Sequence, residues 1–547
     1  MVFVYLKRLI VAGLLLVVGQ SVAIGHETSP LIKEDNLSVE RPNIIFFLVD
    51  DLGWRDLSCY GSEFHETPNI DQFAAKSVLF TQAYAACHVC SPTRASIMTG
   101  KYPARLGLTD WLPGRRDFPF QKLKNAEIKQ HLPLDEITIA ETLKSNGYRT
   151  AHIGKWHLGE DPFGPLDQGF DIQIPRWNKG WPKAGYHAPF KFSGLTDQPG
   201  DYLTDRLTDE AESYIEANRD QPFFLYLSHF SVHDPIQGRV DLVKKYEQKL
   251  SQQPTAQGDA FVLEGNPDDP SPLTQNDLSK KIKQSDWSGY QVLPERTVKI
   301  KQRQDNVQFA AMVESIDESL GRIVTKLKSL ELHENTIIIF FSDNGGMSGA
   351  NFGRPDRTIS PQQLDRAFST SNLPLRGAKG WLYEGGIREP LIIHWPQKGK
   401  QGTICDTPVI STDFYPTLLE MANVAPMPKQ HADGISLVSL VTEHKNPGLD
   451  SKLDPQNRNA IYWHFPHYSN HGMQSPGGAI RCGDYKLLEY FENNTIQLFN
   501  LRDDLGEQHD LSEEQPQLAK ELQSKLHQWR SEINANQTRP NPSYQTR

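Results

Sequence analysis

Apolar runs bounded by polar residues recur along this chain at intervals long enough to hold a helix. Asn43 to Val49 (Asn-Ile-Ile-Phe-Phe-Leu-Val), Pro222 to Ser228 (Pro-Phe-Phe-Leu-Tyr-Leu-Ser) and Thr336 to Phe341 (Thr-Ile-Ile-Ile-Phe-Phe) are continuous rather than alternating. That pattern predicts strands buried on both faces of a parallel sheet. Shorter strands are expected at Thr150 to Ile153 and Leu391 to His394. Helical spacing is read at Ile137 to Ser145, Thr204 to Ala217, Asn306 to Leu330 and Thr412 to Ala422, and Thr67-Pro68 opens a shorter helix reaching about Lys76. Strands alternating with helices predict an α/β main domain over residues 42–430. Beyond about Asp433 short strands follow one another (Ala460 to Trp463, Ala479 to Arg481, Tyr485 to Tyr490, Ile496 to Asn500) before a helix from Gln515 to Asn534. This order predicts a small α+β subdomain with an antiparallel sheet over residues 431–547. Between them, residues 237–305 are polar and Gln-rich with weak periodicity. They are read as a long functional or disordered insertion that shapes the substrate site.

Charge and targeting signals narrow the setting. Lys7 and Arg8 precede the apolar run Leu9 to Val18, and small residues near Ser21 to Gly25 offer a cleavage site, so residues 1–25 read as a signal peptide. The run is short for a membrane span and no cysteine follows it closely, so neither stable membrane insertion nor a lipid anchor is expected. The protein is expected to be exported, periplasmic or secreted. A net charge of -10 without a basic run excludes a nucleic-acid partner. An anionic substrate would need a local cationic pocket. The five cysteines form no disulfide framework, and Cys59, Cys87, Cys405 and Cys482 read mostly as buried thiols.

The chemistry concentrates in a few stretches. In Cys87-His-Val-Cys90-Ser-Pro-Thr-Arg94-Ala-Ser-Ile-Met-Thr-Gly100, Pro92 suits the first helical position. That puts Cys90 or Ser91 at the cap of a helix stopped by Gly100. A nucleophile there meets free N–H groups that favour an anion, and Arg94 lies one turn on. A redox or zinc role for Cys87 and Cys90 is the plainer reading, and no second Cys-x-x-Cys completes a zinc set. Asp50 and Asp51 end the first strand, and Asp343 and Asn344 end the third. Oxygen donors without thiolate suit a hard cation, Ca²⁺ or Mg²⁺. Lys155 and His157, in Gly-Lys-Trp-His-Leu-Gly, are two residues apart and share one face of an extended segment, as an acid–base and charge-clamping pair would. Trp111 lies in a loop rich in aromatic and cationic residues. The run Tyr462-Trp-His464-Phe-Pro-His467-Tyr468 suits either packing or contact with a sugar ring.

Cys90-x-Pro-x-Arg94 followed by Thr-Gly resembles the sulfatase signature, and Gly147 to Gly159 resembles the second signature of that family. Asn372-Leu-Pro-Leu-Arg376-Gly-Ala-Lys379-Gly-Trp381 to Glu389 is similar to its third block. The resemblance, to formylglycine-dependent sulfatases of the arylsulfatase and N-acetylgalactosamine-sulfatase kind, runs from Pro42 to about Asp510. It implies the α/β/α fold of the alkaline phosphatase superfamily. It also implies Cys90 oxidised to formylglycine (3-oxoalanine) by a formylglycine-generating enzyme, and Ca²⁺ ahead of Mg²⁺ held by Asp50, Asp51, Asp343, Asn344 and residue 90. Arg94, Lys155, His157, His233 and Lys379 become the catalytic set, with Asp343 a candidate base and His233 or Lys379 the leaving-group acid. Two positions depart from the family pattern: Asp234 stands for the threonine after His233, and Glu389 for a valine. Export, Trp111, His464 and His467 point to sulfated carbohydrate such as glycosaminoglycan or algal galactan fragments. A phosphonate or phosphodiester hydrolase on the same scaffold, a non-catalytic calcium-dependent sugar-binding protein, and a thiol–disulfide exchanger are the alternatives.

Overall fold

Along Asn43–Val49 (β1) successive side chains enter opposite layers of the core: Ile44, Phe46 and Leu48 face one, Ile45, Phe47 and Val49 the other. A strand buried on both sides has to sit mid-sheet between two helical layers. The computed structural model describes residues 41–254, 258–284, 297–351, 367–443, 454–471 and 474–545. The expected signal peptide lies outside these residues. No described helix is long and apolar enough to cross a membrane.

The remaining strands of the main sheet are Val78–Tyr84 (β2), Arg149–Gly154 (β3), Ile172–Ile174 (β4), Phe223–Ser228 (β5), Thr336–Ser342 (β6), Arg388–His394 (β7), Thr403–Cys405 (β8) and Val409–Ile410 (β9). Their order is β8-β2-β7-β6-β1-β5-β3-β4, with β9 also on β2. From β6 to β4 every pairing is parallel, while β7 runs antiparallel to both β6 and β2. Helices Cys90–Thr99, Ile139–Ser145 and Phe414–Met421 cover one face, and Pro68–Ala74, Leu203–Ala217 and Val307–Ser329 the other. Thr138 caps its helix through a reciprocal bond with Glu141, and Asn306 caps Val307–Ser329 through the Gln308 and Phe309 amides. This is the expected α/β/α architecture.

The C-terminal sheet is a meander of Ile461–Phe465 (β10), Gly477–Cys482 (β11), Tyr485–Tyr490 (β12) and Ile496–Asn500 (β13), antiparallel throughout. Helix Pro516–Glu532 packs on it through Leu522, Leu526 and Trp529. The same apolar cluster includes Tyr84, Trp381 and Ile387 of the main domain.

The insertion read as loop or disorder is largely built structure where it is described. Val240–Gln252 is a helix that buries Leu242, Val243 and Tyr246, and Phe261–Glu264 pairs antiparallel with Val298–Lys301. Strand β2, absent from the sequence reading, pairs with three strands.

Candidate active site

Parallel pairing brings the C-terminal ends of β1, β6, β5 and β3 to one edge. Val49 lies beside Ser342, Leu48 beside Ser228, and Ser228 beside Gly154. Each strand then releases its polar segment at the same level: Asp50-Asp51, Asp343-Asn344, His229 to His233, and Lys155 to His157. Strand β2 runs in the same direction, because β7 is antiparallel to both it and β6, and leads from its C-terminal end into Cys87–Cys90. The Lys379 segment precedes β7 at that same edge. Ligands of open α/β sheets bind at such strand ends. Gly154 makes the junction possible: its φ is +114°, and a Cβ there would lie 1.8 Å from the Ser228 carbonyl oxygen. Asp51 and His157 also hold positive φ, 63° and 59°, strain of the kind found where side chains are aimed for function.

Cys90 is the first residue of its helix, with Val89 at the cap and Gly100 in the left-handed conformation at the stop. It is buried and lines a cavity of about 360 Å³. Thr93 Oγ1 bridges the Cys87 amide and carbonyl at 3.2 and 2.9 Å, fixing the turn that leads in. Burial pushes the Cys87 thiol far above its ordinary value, as in an inert buried cysteine.

Four cationic side chains meet three carboxylates, Asn344 and Ser228 beside Cys90. Arg94 Nε donates to Asp343 Oδ2 at 2.7 Å, and its Nη1 to the Lys155 carbonyl and Ser228 Oγ at 2.9 and 2.6 Å. Lys155 Nζ lies 2.6 Å from Asp50 Oδ2, and Lys379 Nζ 2.6 and 2.7 Å from the two Asp51 oxygens. Asn344 Nδ2 donates to Asp51 Oδ1 at 2.7 Å, and His233 Nε2 stands 3.7 Å from Asp51 Oδ2. Burial opposes ionisation of Asp51, but Lys379, His233 and Lys155 hold its carboxyl at about 2. Burial and the Asp343 charge push Asp50 well above the carboxylate range, against Lys155. Asp343 is also buried, yet Arg94 and Lys155 hold it low, so it is a poor proton acceptor.

Asp50 Oδ1 and Asn344 Oδ1 are buried without a hydrogen-bond partner. Donor atoms of Asp50, Asp343 and Cys90 lie within 4.8 Å of one another, as do those of Asp50, Asp51 and His233. Orphaned buried oxygens among crowded carboxylates fit a hard divalent cation.

His157 Nε2 contacts the Leu112 carbonyl at 2.8 Å. Since a carbonyl only accepts, Nε2 carries the proton, and Nδ1, which has no partner, is left as a lone pair. Burial first, then Lys155, push this imidazole well below its usual pKa, keeping it neutral. His233 is opposite in character. Burial and Lys379 lower it, but Asp51, Asp234 and Asp50 outweigh them and raise it to about 9. Asp234, 2.9 Å from His233 Nδ1, thus supports that charge. His229, buried against Ser319, is driven by burial to about 3 and packs in the core.

The catalytic and metal residues expected from sequence all stand together, and Trp111 lines the cavity. His464 and His467, expected to contact substrate, do not line it. Both are buried, with Nε2 on the Asn536 carbonyl at 2.7 Å and on Thr109 Oγ1 at 2.8 Å, where they join the Trp111 loop and C-terminal tail to β10. The rim is instead completed by Trp181, Asn470 and His471. Arg376 and Arg388 pair with Glu264 and Glu384, as structural residues would.

The family Sulfatase matches residues 42–424, and N-sulphoglucosamine sulphohydrolase, C-terminal, matches residues 378–533. A sulfatase of Formosa agariphila is 29% identical over 94% of this chain and 94% of its own. Human N-acetylgalactosamine-6-sulfatase is 29% identical over 73% of this chain and 65% of its own. The structure of Ps i-CgsB in complex with k-i-k-neocarrahexaose has a TM-score of 0.63 and 26% identity, covering 89% of this chain and 92% of that one. The first match takes in the whole main sheet and every residue on the cavity floor, and the chain belongs to the sulfatase family of sulfuric ester hydrolases.

Proposed function

We propose that the chain removes sulfate from sulfated carbohydrates after export, with residue 90 as formylglycine and Ca²⁺ in the carboxylate cluster. The observation that carries this reading is Cys90 on the floor of a cavity that His157 also lines, its sulfur within 4.8 Å of donor atoms of Asp50 and Asp343. Relatives and neighbours support the carbohydrate half, since they include an N-acetylgalactosamine-6-sulfatase and a protein holding a neocarrahexaose. Asp50, Asp51, Asp343 and Asn344 would hold the cation, which when bound supplies Lewis acidity at the sulfate oxygens. A hydrated aldehyde at residue 90 supplies a second hydroxyl, whose ionisation lets sulfate depart in a way no thiol or simple alcohol allows.

The chain's own residues do the rest. Arg94 orients the Asp343 carboxylate and turns its own charge toward residue 90. Lys155 and Lys379 neutralise charge growing on the sulfuryl oxygens, from positions fixed before substrate arrives. His233, held protonated, gives its proton to the departing sugar oxygen, and neutral His157 takes one through Nδ1 when sulfate is released.

The test is to co-produce the protein with a formylglycine-generating enzyme and weigh the peptide spanning residue 90. The aldehyde form is lighter than the thiol because sulfur and two hydrogens leave and one oxygen arrives. That protein, with Ca²⁺, should release sulfate from sulfated sugars and from 4-nitrophenyl sulfate, and Cys90→Ala should release none. Aldehyde-bearing, calcium-loaded protein that cleaves phosphate diesters but no sulfate ester would overturn the reading.

A further inference from the structure

The cavity at Cys90 adjoins a second one of about 420 Å³, and His157 and Trp181 line both. A chain continuing from an ester seated at Cys90 therefore has a way onward along Trp181. That indole is 41% exposed, unusual for so large an apolar group. Its backbone is nonetheless fixed. The Trp181 carbonyl accepts from Trp177 Nε1 at 2.7 Å, and Gly180 lies so close to the His157 imidazole that a Cβ would fall 2.3 Å from Cε1. The aromatic face is thus held in register with the group proposed to move protons.

The rest of the second cavity sets the apolar side chains of Leu112, Pro113 and Phe163 beside polar groups that present both donors and acceptors. Asn178 is oriented by Gln173 at 2.6 Å and Asp161 at 3.3 Å. Glu160 and Asp161 outnumber the lining's ammonium, Lys179, which already stands 3.5 Å from Glu160. Such a lining suits hydroxyl groups and repels a further anion, the reverse of the lysine-rich floor at Cys90.

We propose that this second cavity is a subsite for an uncharged sugar unit linked to the sulfated one, its ring lying on Trp181. The proposal rests on the carbohydrate reading above. An enzyme built this way acts on a saccharide in which the sulfated unit has an unsulfated neighbour.

The calcium-loaded, aldehyde-bearing enzyme tests it with monosulfated galactose, N-acetylgalactosamine and glucosamine. Each is offered alone, linked to an unsulfated hexose, and linked to a sulfated hexose, with 4-nitrophenyl sulfate as the reference. The unsulfated neighbour should raise kcat/KM by about tenfold over the single sugar, and the sulfated neighbour should cancel the gain. Trp181→Ala should lower the ratio of disaccharide to aryl-sulfate kcat/KM by about the same factor. Glu160→Lys, a change at an exposed side chain, should shift preference toward the doubly sulfated disaccharide. Equal kcat/KM for single sugars and disaccharides, or a wild-type preference for the doubly sulfated one, would overturn the subsite. Turnover of 4-nitrophenyl sulfate with no sugar cleaved would overturn the carbohydrate reading and the subsite with it.

Discussion

The floor and the rim of the Cys90 cavity are made in different ways. Asp50, Asp51, Lys155, Asp343 and Asn344 on the floor follow directly on strands β1, β3 and β6, and Lys155 and Lys379 meet carboxylate oxygens at 2.6 Å. Trp111, Trp181, Asn470 and His471 on the rim come from loops of both the main and C-terminal parts, and His471 has no hydrogen-bond partner on either ring nitrogen. A floor locked by sheet register can do one reaction, pre-arranged before substrate arrives. A rim of loops can change which ester is admitted without disturbing that reaction.

The sharpest way to break this division is at Lys379. Lys379→Ala should reduce kcat by about 10²–10³ through loss of a charge aimed at the transition state. Because the floor serves every ester, 4-nitrophenyl sulfate and sulfated sugars should lose equally. A loss confined to the sugars would make Lys379 a recognition residue and erase the distinction. Metal removal comes next. Calcium at about a hundred times its dissociation constant should stabilise the fold by ~2.7 kcal/mol, read as a rise in Tm that a chelator reverses. Asp343→Asn should lose that rise, whereas His471→Ala, on the rim, should keep it.

The same division marks what the amino-acid sequence makes readable. The floor is legible because continuous apolar runs can only be buried strands, and their first polar residues then have to lie at a common edge. The expected cap at Cys90 or Ser91 lies one or two residues past the actual one, Val89, which has no side-chain cap for a sequence to signal. Strand β2 escaped because Thr81 and Gln82 break its apolar pattern, and Val240–Gln252 because it buries only Leu242, Val243 and Tyr246 in a polar run. The rim has no period to read. Among the histidines in and after β10, chemistry alone favours His464 and His467. The one in the cavity is His471, brought there by close approach to Gly380, where a Cβ would lie 2.5 Å from the His471 Cβ.

Glu389 tests the floor from behind. It is fully buried, and neither carboxyl oxygen has a partner. Burial, then the charges of Asp343, Asp51 and Asp56, push it well above the ordinary value. Below about pH 4.5 both folded and unfolded states keep this proton. As pH rises further the unfolded chain releases it while the folded one retains it, so stability falls by about 1.4 kcal/mol per pH unit until the folded value is passed. Glu389→Gln, which has no such proton to release, should gain on the parent by about 2 kcal/mol between pH 5 and 6.5, a widening Tm difference of about 2 °C. A constant difference across that range would mean that Glu389 is already ionised and compensated in the fold.

The smallest effect is expected at His471, and its size is informative. Burial and the Lys379 charge lower this imidazole to about 3, so it is neutral at working pH with one nitrogen donating and one accepting. Both nitrogens are buried without a partner beside the cavity, so a sugar hydroxyl that reached one would make a hydrogen bond the protein leaves open. Each neutral hydrogen bond replaces one to water and nets only about 0.5–1.5 kcal/mol. His471→Ala should therefore lower the ratio of sugar-sulfate to aryl-sulfate kcat/KM by about two- to tenfold, mainly through KM, and His471→Gln should restore part of it. If kcat fell instead, and equally for both esters, His471 would be acting on the floor by seating the loop that carries Lys379. The boundary between the two regions would then run outside it.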